Sequence, residues 1–401
     1  MEKVYIVSAV RTAGGNLGGS LKTVLPEDLL IPVIKGAISC EGAPEDSVSE
    51  VIMGQTKQSA DCPNVARVGA LKAGLAEEIP SYTVHRQCGS GMQAIINGFN
   101  QIRCGDSDVV IAGGVESMSN AQYYLRDGRY GFGVGNSLIL DPNTESQPKS
   151  QPEEKYGRLI MGMTAENLAE KYGISREEQD AFAYKSQVSA IEAIDSGRFR
   201  DEIVPVMVPQ KKGDPAVFEV DEFPRRDTSL DKLARLKPAF KTPDGTVTAG
   251  NSSGRNDGAA ALLLASEAAV KKYGLRPAAR IIAYASAGVD PRYMGIGPVP
   301  AVRKVLGKTG MALSDMGLIE INEAFAAQTL ACVKELGVNT SILNVNGGAI
   351  ALGHPLGCSG ARIVVTLVHE MEKRGVKTGL ASICIAGGQG LAMIVERADI
   401  Q

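Results

Sequence analysis

Asp108-Val-Val-Ile-Ala-Gly-Gly114 and Ala381-Ser-Ile-Cys-Ile-Ala-Gly-Gly388 are two apolar runs that end on the same tetrapeptide. Each has the length and unbroken apolarity of a strand covered on both faces, which is how strands of a parallel sheet read. A helix-like segment precedes each. Met92, Ile95, Ile96, Phe99 and Ile102 recur at helical spacing before Gly105, and Val364, Val368 and Met371 do so before Gly375. Both glycines stand where a helix ends in a left-handed residue. A Ser-Gly pair, Ser90-Gly91 and Ser359-Gly360, opens both helices, and Ser90 is placed to cap the first. Residues 48–55 and 315–323 match in the same way, as a helix end running into a strand. The pattern predicts two copies of one α/β unit.

The first copy starts with a strand at residues 4–10, a helix at 26–39 and a strand at 48–53, and it resumes with a strand at 257–264. The chain between behaves differently. Residues 141–154 are rich in Pro, Asn, Ser and Gln and read as loop. Ser175-Arg-Glu-Glu178 fits a capping box, with Ala181, Tyr184, Val188 and Ile191 as one helical face and Gly197 as the stop. Residues 223–237 follow, dense in Arg and Lys. This segment reads as an insertion. The expected organisation is one half from residues 1–119 and 251–275, an inserted domain at 120–250, and a second half at 276–401.

The 401 residues carry 42 Lys+Arg against 45 Asp+Glu, a formal net charge of −3. That balance argues against a nucleic-acid binder, which needs a basic footprint, and against an acidic disordered chain. With no Trp and 5% aromatics, the core falls to Ala, Val, Ile and Leu. The seven cysteines form no CxxC pair and no structural zinc spacing, so no metal is expected. Their odd number fits a reducing compartment. The apolar run near the N-terminus is too short for a signal peptide or a membrane span, and residues 398–401 carry no address signal. The expectation is a cytoplasmic protein without a membrane partner.

Four segments carry candidate chemistry. In Val84-His-Arg-Gln-Cys88-Gly-Ser-Gly-Met-Gln-Ala94, a cysteine stands at a helix start between glycines. A helix N-terminus favours the thiolate, and exposed N–H groups there suit an oxyanion. Cys88 therefore reads as an activated nucleophile or, equally, as the small buried hydrophobe that free cysteine usually is. His354, between Gly353 and Pro355, is one of only three histidines and could take a thiol proton. Cys384 stands at the C-terminal end of a strand, where ligands of such sheets bind. Asn322 and Glu323 follow a short apolar strand, and a structural hydrogen-bond network would explain both. His369 reads as a surface residue and His85 is unassigned.

Cys88-Gly-Ser-Gly, Gly113-Gly-Val-Glu-Ser-Met118, Asn322-Glu-Ala-Phe-Ala, Gly353-His-Pro-Leu-Gly and Cys384-Ile-Ala-Gly-Gly-Gln-Gly occur in that order. Together they resemble the thiolase family, the acetyl-CoA acetyltransferases and 3-ketoacyl-CoA thiolases, from residue 4 to the last strand. The resemblance implies a five-layered αβαβα fold of two duplicated halves with an inserted loop domain. It implies an acyltransferase that works through a thioester on Cys88. His354 would be its base, and Cys384 would exchange a proton with the α-carbon. One oxyanion hole would come from His354 and a water on Asn322, the other from the N–H groups of Cys88 and Ala386. Ala386 replaces the family's usual glycine, and His85 its usual asparagine.

For coenzyme A, which would be substrate and product rather than a resident cofactor, the resemblance implies contacts at Arg225, Leu236, Phe240 and Ser253. It adds Met161, Met294, Ala324 and Phe325 along the acyl and pantetheine tunnel. Arg226, Lys232, Arg235 and Lys237 would bring charge suited to phosphates. The first expected reaction is the joining of two acetyl-CoA to acetoacetyl-CoA and its reverse; longer, branched or aromatic 3-ketoacyl-CoA is the alternative. A ketoacyl synthase would carry a second histidine where Cys384 stands, and a non-catalytic acyl-CoA-binding subunit would not need both cysteines and His354. Family members are homodimers or homotetramers, which sets the expected partner.

Overall fold

A computed structural model describes residues 2–398; Met1 and residues 399–401, most of the tail expected above to carry no address signal, lie outside it. Nine strands matter here: β1 (Val4–Arg11), β2 (Glu50–Gly54), β3 (Ser81–Val84), β4 (Val109–Ser117), β5 (Asn256–Ser266), β6 (Ala279–Gly288), β7 (Leu318–Ile321), β8 (Thr378–Ile385) and β9 (Gln389–Arg397). They are ordered β3-β2-β4-β5-β1 and then β6-β9-β8-β7, with Leu343 bridging to Ile319 in parallel beside β7. Numbering strand positions within each half, the order is the same: third, second, fourth, fifth, first. That identity of topology establishes the duplication. The halves join where β1 pairs with β6 through Tyr5–Arg280 and Ile6–Ala279.

The shared tetrapeptide marks the right strands at the wrong height. Ile111 pairs with Val51 near the start of its parallel neighbour. Ile385 instead lies beyond the end of its own parallel pairing, which stops at Ser382. Gly113 and Gly114 are accordingly extended within β4, whereas Gly387 (φ +86°) and Gly388 (φ +84°) make the turn from β8 to β9.

Alternation along the strands sorts side chains between layers. In β5, Ala260, Leu262 and Leu264 face the central core, and Ala259, Ala261, Leu263 and Ala265 face the outer one. Burying each leucine contributes roughly 2 kcal/mol. The central layer holds α3 (Ser90–Cys104) and the last long helix, Leu356–Arg374. Helices α1 (Pro26–Ser39) and α2 (Val65–Lys72) cover the outer face of the first half. Pro298–Thr309 covers the outer face of the second. Five layers result.

Residues between β4 and β5 leave the sheet. They include Met161–Tyr172, Arg176–Asp195 and the small sheet of Val206–Val208 with Ala216–Phe218. Arg11, at the end of β1, anchors this segment. Its Nε donates to Glu202 at 2.6 Å, and its Nη1 and Nη2 donate to the two oxygens of Asp221 at 2.8 and 3.0 Å. All three side chains are buried, so removing any one would strand charge in the interior.

Three local expectations need correction. Ser90 does not cap α3; the cap position is Gly89, and the Ser90 hydroxyl serves the preceding loop. Ser359 does not open its helix, which starts three residues earlier at Leu356. The capping box at Ser175 forms, but the buried face of Arg176–Asp195 is Ala183, Ser186, Gln187 and Ala190, with Ala181 exposed. Polar partners decide that face: Ser186 hydrogen-bonds Glu323, and Gln187 donates to the Ile350 carbonyl. Among the described residues no helix is long and apolar enough to cross a membrane.

Candidate active site

Two glycines let the central helices meet end to end. A Cβ on Gly91 would lie 2.8 Å from the Gly357 carbonyl oxygen and 2.9 Å from the Ala361 nitrogen. A Cβ on Gly360 would lie 2.7 Å from the Met92 nitrogen. The N-termini of α3 and of Leu356–Arg374 therefore touch, and the residues just before them, Cys88 and His354, reach one cavity. Gly89 does the same for the third segment, because a Cβ there would meet Ile385 Cδ1 at 2.5 Å. Gly91→Ala is expected to push the helix ends apart. Thiolysis kcat should fall about 10²-fold, the cost of an ångström-scale misplacement, while circular dichroism keeps its native form.

The Cys88 loop is held tightly. Gln87 adopts φ +46°, a left-handed conformation uncommon outside glycine. The Ser90 hydroxyl accepts from the Arg86 N–H at 2.8 Å and donates to the Gln87 carbonyl at 2.6 Å. Burial pushes the Cys88 thiol up, against the lowering expected from its helix N-terminus. The Ala386 N–H, the charge of Lys57 and the Cys88 N–H pull the other way without prevailing. At rest, then, Cys88 needs a base.

His354 is built as one. Its N–H donates to Asn256 Oδ1 at 3.1 Å. The Ser359 hydroxyl donates to the Pro355 carbonyl at 2.8 Å, so the 2.6 Å contact between His354 Nδ1 and Ser359 Oγ requires Nδ1 to carry the proton. Nε2 keeps its lone pair and has no partner among the described residues. Burial, helped by Arg362, lowers the imidazole pKa to about 3. It is therefore neutral across the physiological range.

Cys384 is the penultimate residue of β8 and is buried. Burial raises its thiol well above the ordinary value, with the Cys88 and Cys332 sulfurs adding to the shift. Cys88, His354, Cys384 and Ala386 line one cavity of about 880 Å³, its open mouth included. Met161, Met294, Phe240, Ser253, Ala324 and Phe325 line it too. Phe240 and Phe325 meet edge to face at 6.1 Å.

Three expected site residues lie outside that lining. Asn322 is buried behind it, with neither amide atom partnered among the described residues. Arg225 is exposed, its guanidinium over the Phe223 ring, and Leu236 packs with Leu233 and Ile350. The basic cluster is partly neutralised, since Arg226 pairs with Asp195 and Lys232 with Asp227. Glu323 belongs to a structural network, accepting from Ser186, Asn344 and the Ile350 N–H. His369 is no surface residue: its Nε2 donates to the Ala9 carbonyl at 2.7 Å.

Sequence reasoning missed Glu116. Fully buried, it accepts from the Thr56 hydroxyl, from the Lys57 N–H at 2.9 Å and from the Gly357 N–H at 2.9 Å. It thereby fixes the start of the helix that follows His354 to the first half. The signal was a lone carboxylate inside an apolar strand. Also missed were Asn143, Ser146, Gln147 and Ser150, which form a polar wall of the cavity. Loop composition alone gave them no position.

The model of the thiolase N-terminal domain matches residues 4–268, and that of the thiolase C-terminal domain matches residues 275–397. The chain belongs to the thiolase family. This thiolase is 51% identical over 397 residues to the acetyl-CoA acetyltransferase of Pseudomonas aeruginosa, covering 99% of this chain and 100% of that one. It is 50% identical to a beta-ketoadipyl-CoA thiolase of the same organism, over 98% and 99% of the two chains. Among solved structures, Bacillus anthracis acetyl-CoA acetyltransferase superposes with a TM-score of 0.96 at 48% identity, over 99% of both chains. Human mitochondrial 3-ketoacyl-CoA thiolase in complex with CoA does so with a TM-score of 0.94 at 46% identity, over 99% of this chain and 98% of that one. The thiolase is thus an acyltransferase with coenzyme A as substrate rather than resident cofactor.

Proposed function

We propose that this thiolase joins two acetyl-CoA into acetoacetyl-CoA and cleaves it again, through a thioester on Cys88. The reading rests on one observation: two sulfurs, an imidazole lone pair and a backbone N–H share one cavity wall. In thiolysis the Cys88 thiol gives its proton to His354 Nε2 as the sulfur attacks the C3 carbonyl. The N–H groups of Cys88 and Ala386 hold the resulting oxyanion. The C2–C3 bond then breaks, the acetyl group stays on Cys88, and C2 takes a proton from Cys384. The protonated His354 Nε2, with a water on Asn322, holds the enolate oxygen meanwhile. The thiol of incoming CoA attacks the acetyl thioester, passing its proton to Cys384, and the Cys88 sulfur leaves and is reprotonated by His354.

The inserted segment, residues 120–250, would carry the CoA groove, with Arg225, Leu236 and Phe240 contributing and Arg235 and Lys237 nearest to free cations. Residues 1–119 with 251–275, and residues 276–401, would be the two catalytic halves. A homodimer or homotetramer fits the apolar side chains exposed on residues 123–139, among them Tyr130, Val134 and Leu138. A cytoplasmic location fits seven unpaired cysteines. Acetoacetyl-CoA consumed only when CoA is added, yielding two acetyl-CoA per turnover by chromatography, is the expected result. Its stability under those conditions, with longer 3-ketoacyl-CoA cleaved instead, would move the assignment to the degradative branch.

A further inference from the structure

Residues 235–255 form no helix or strand, yet Phe240, Ser252, Ser253, Gly254 and Arg255 among them line the catalytic cavity. Backbone without a ladder of its own needs outside partners to hold one shape. The helix Met161–Tyr172 supplies them. Gly162 and Glu166, four residues apart, share one of its faces. Gly162 receives the Phe240 ring, because a Cβ there would lie 2.3 Å from Phe240 Cγ. Glu166 is buried and receives the backbone that follows. Its Oε1 accepts from the Thr246 and Val247 N–H groups at 3.0 and 2.9 Å. Its Oε2 accepts from the Thr246 N–H at 3.0 Å and the Thr246 hydroxyl at 3.1 Å. From Thr246 the order passes to the cavity. Asn251 Nδ2 donates to the Thr246 carbonyl at 3.1 Å, the Ser252 hydroxyl to the Thr248 carbonyl at 2.6 Å, and the Ser253 N–H to the Ala324 carbonyl at 3.0 Å. The Ala239 N–H donates to the Val247 carbonyl at 2.9 Å and closes the loop that carries Phe240.

Burying a carboxylate is costly unless such donors meet it, and successive N–H groups converge well on an anion. A neutral amide in its place has one acceptor oxygen and would turn its own N–H toward an N–H. The shape of the loop therefore depends on the charge of Glu166, which does not itself line the cavity. We propose that Glu166 is a positioning residue for coenzyme A, fixing residues 239–254 before the ligand arrives so that Phe240 and Ser253 stand ready. The inference rests on the reading that those two residues contact CoA, and it names what holds them.

The test is thiolysis of acetoacetyl-CoA by Glu166→Gln, with circular dichroism as the check on folding. KM for CoA should rise about tenfold, the cost of a hydrogen bond to a charged group. A loop that is in place only part of the time weakens binding by that fraction, while saturating CoA restores the order, so kcat should stay within about twofold. Trypsin should also cut faster after the exposed Lys241, and CoA should suppress the gain. Thr246→Val keeps the backbone N–H and should raise KM about threefold; it carries the test where Glu166→Gln does not fold. A lowered kcat at unchanged KM would overturn the proposal, as would a raised KM without faster cleavage. Unchanged KM and unchanged cleavage would remove this inference alone. Faster cleavage at unchanged KM would mean that CoA does not use the loop, which removes the contacts at Phe240 and Ser253 and this inference with them.

Discussion

Cys88→Ala should take up no acetyl group from acetyl-CoA and should lose thiolysis and condensation by about 10⁴-fold or more, the scale on which covalent nucleophiles matter. The size of the effect follows from the division of labour in the cavity. His354 is held neutral by burial and by its Nδ1–H contact with Ser359, so its Nε2 lone pair waits for a proton. The Ala386 N–H points to where charge develops beside the Cys88 sulfur. Neither group forms a bond to the acyl carbon. Without the sulfur they have nothing to activate and no tetrahedral oxygen to hold. The substitution itself is mild for the fold, because Cys88 is only half-buried and the loop hydrogen bonds around it come from Ser90 and Gln87. A native melting profile should accompany the lost activity, checked by thermal denaturation beside intact-protein mass spectrometry. An acetyl adduct persisting at wild-type level in Cys88→Ala would reject the assignment.

What could be read from the chain was whatever local pattern controls. Buried strands and amphipathic helices announce themselves by period, so Pro26–Ser39 falls where expected and α3 ends at the left-handed Gly105. The duplication was legible for a partly accidental reason. The Ile-Ala-Gly-Gly repeats lie in equivalent strands, yet their glycines have different jobs, extended in one half and turning in the other. What could not be read depends on distant partners. The pKa of Cys88 is set by burial under elements hundreds of residues away, which outweighs the helix terminus beside it. Ser90 stands where a cap would stand, but the Arg86 N–H and Gln87 carbonyl claim its hydroxyl. Glu116 gains its meaning only from Gly357, which a linear reading places in the other half. Lys57 donates to Ser146, which lines the cavity, though neither belongs to a motif.

Cys384→Ala should separate the two halves of the reaction. Acetyl transfer from acetyl-CoA to Cys88 needs the base, the oxyanion donors and the nucleophile, all of which remain; the Cys384 proton only assists the departing CoA, which can leave as a thiolate. The acetyl adduct should therefore still form. Carbon–carbon bond cleavage needs a proton for C2 as the bond breaks, and condensation needs that proton removed. Cys384 suits the first task, because burial and the neighbouring sulfurs keep its thiol protonated at rest. It suits the second only once a proton has left with the preceding CoA, so its charge is created inside the cycle. Deleting a positioned proton donor costs about 10² to 10⁴ in rate. The upper end is expected here, since the apolar cluster around Cys384, with Met294, Ala324 and Phe325, leaves little access for a substitute. Acetoacetyl-CoA turnover should collapse while the acetyl-enzyme still forms from acetyl-CoA, a combination that a folding defect cannot produce. Wild-type turnover in Cys384→Ala would transfer the α-carbon proton to another group, and failure to form the adduct would make the Cys384 proton indispensable to acylation as well.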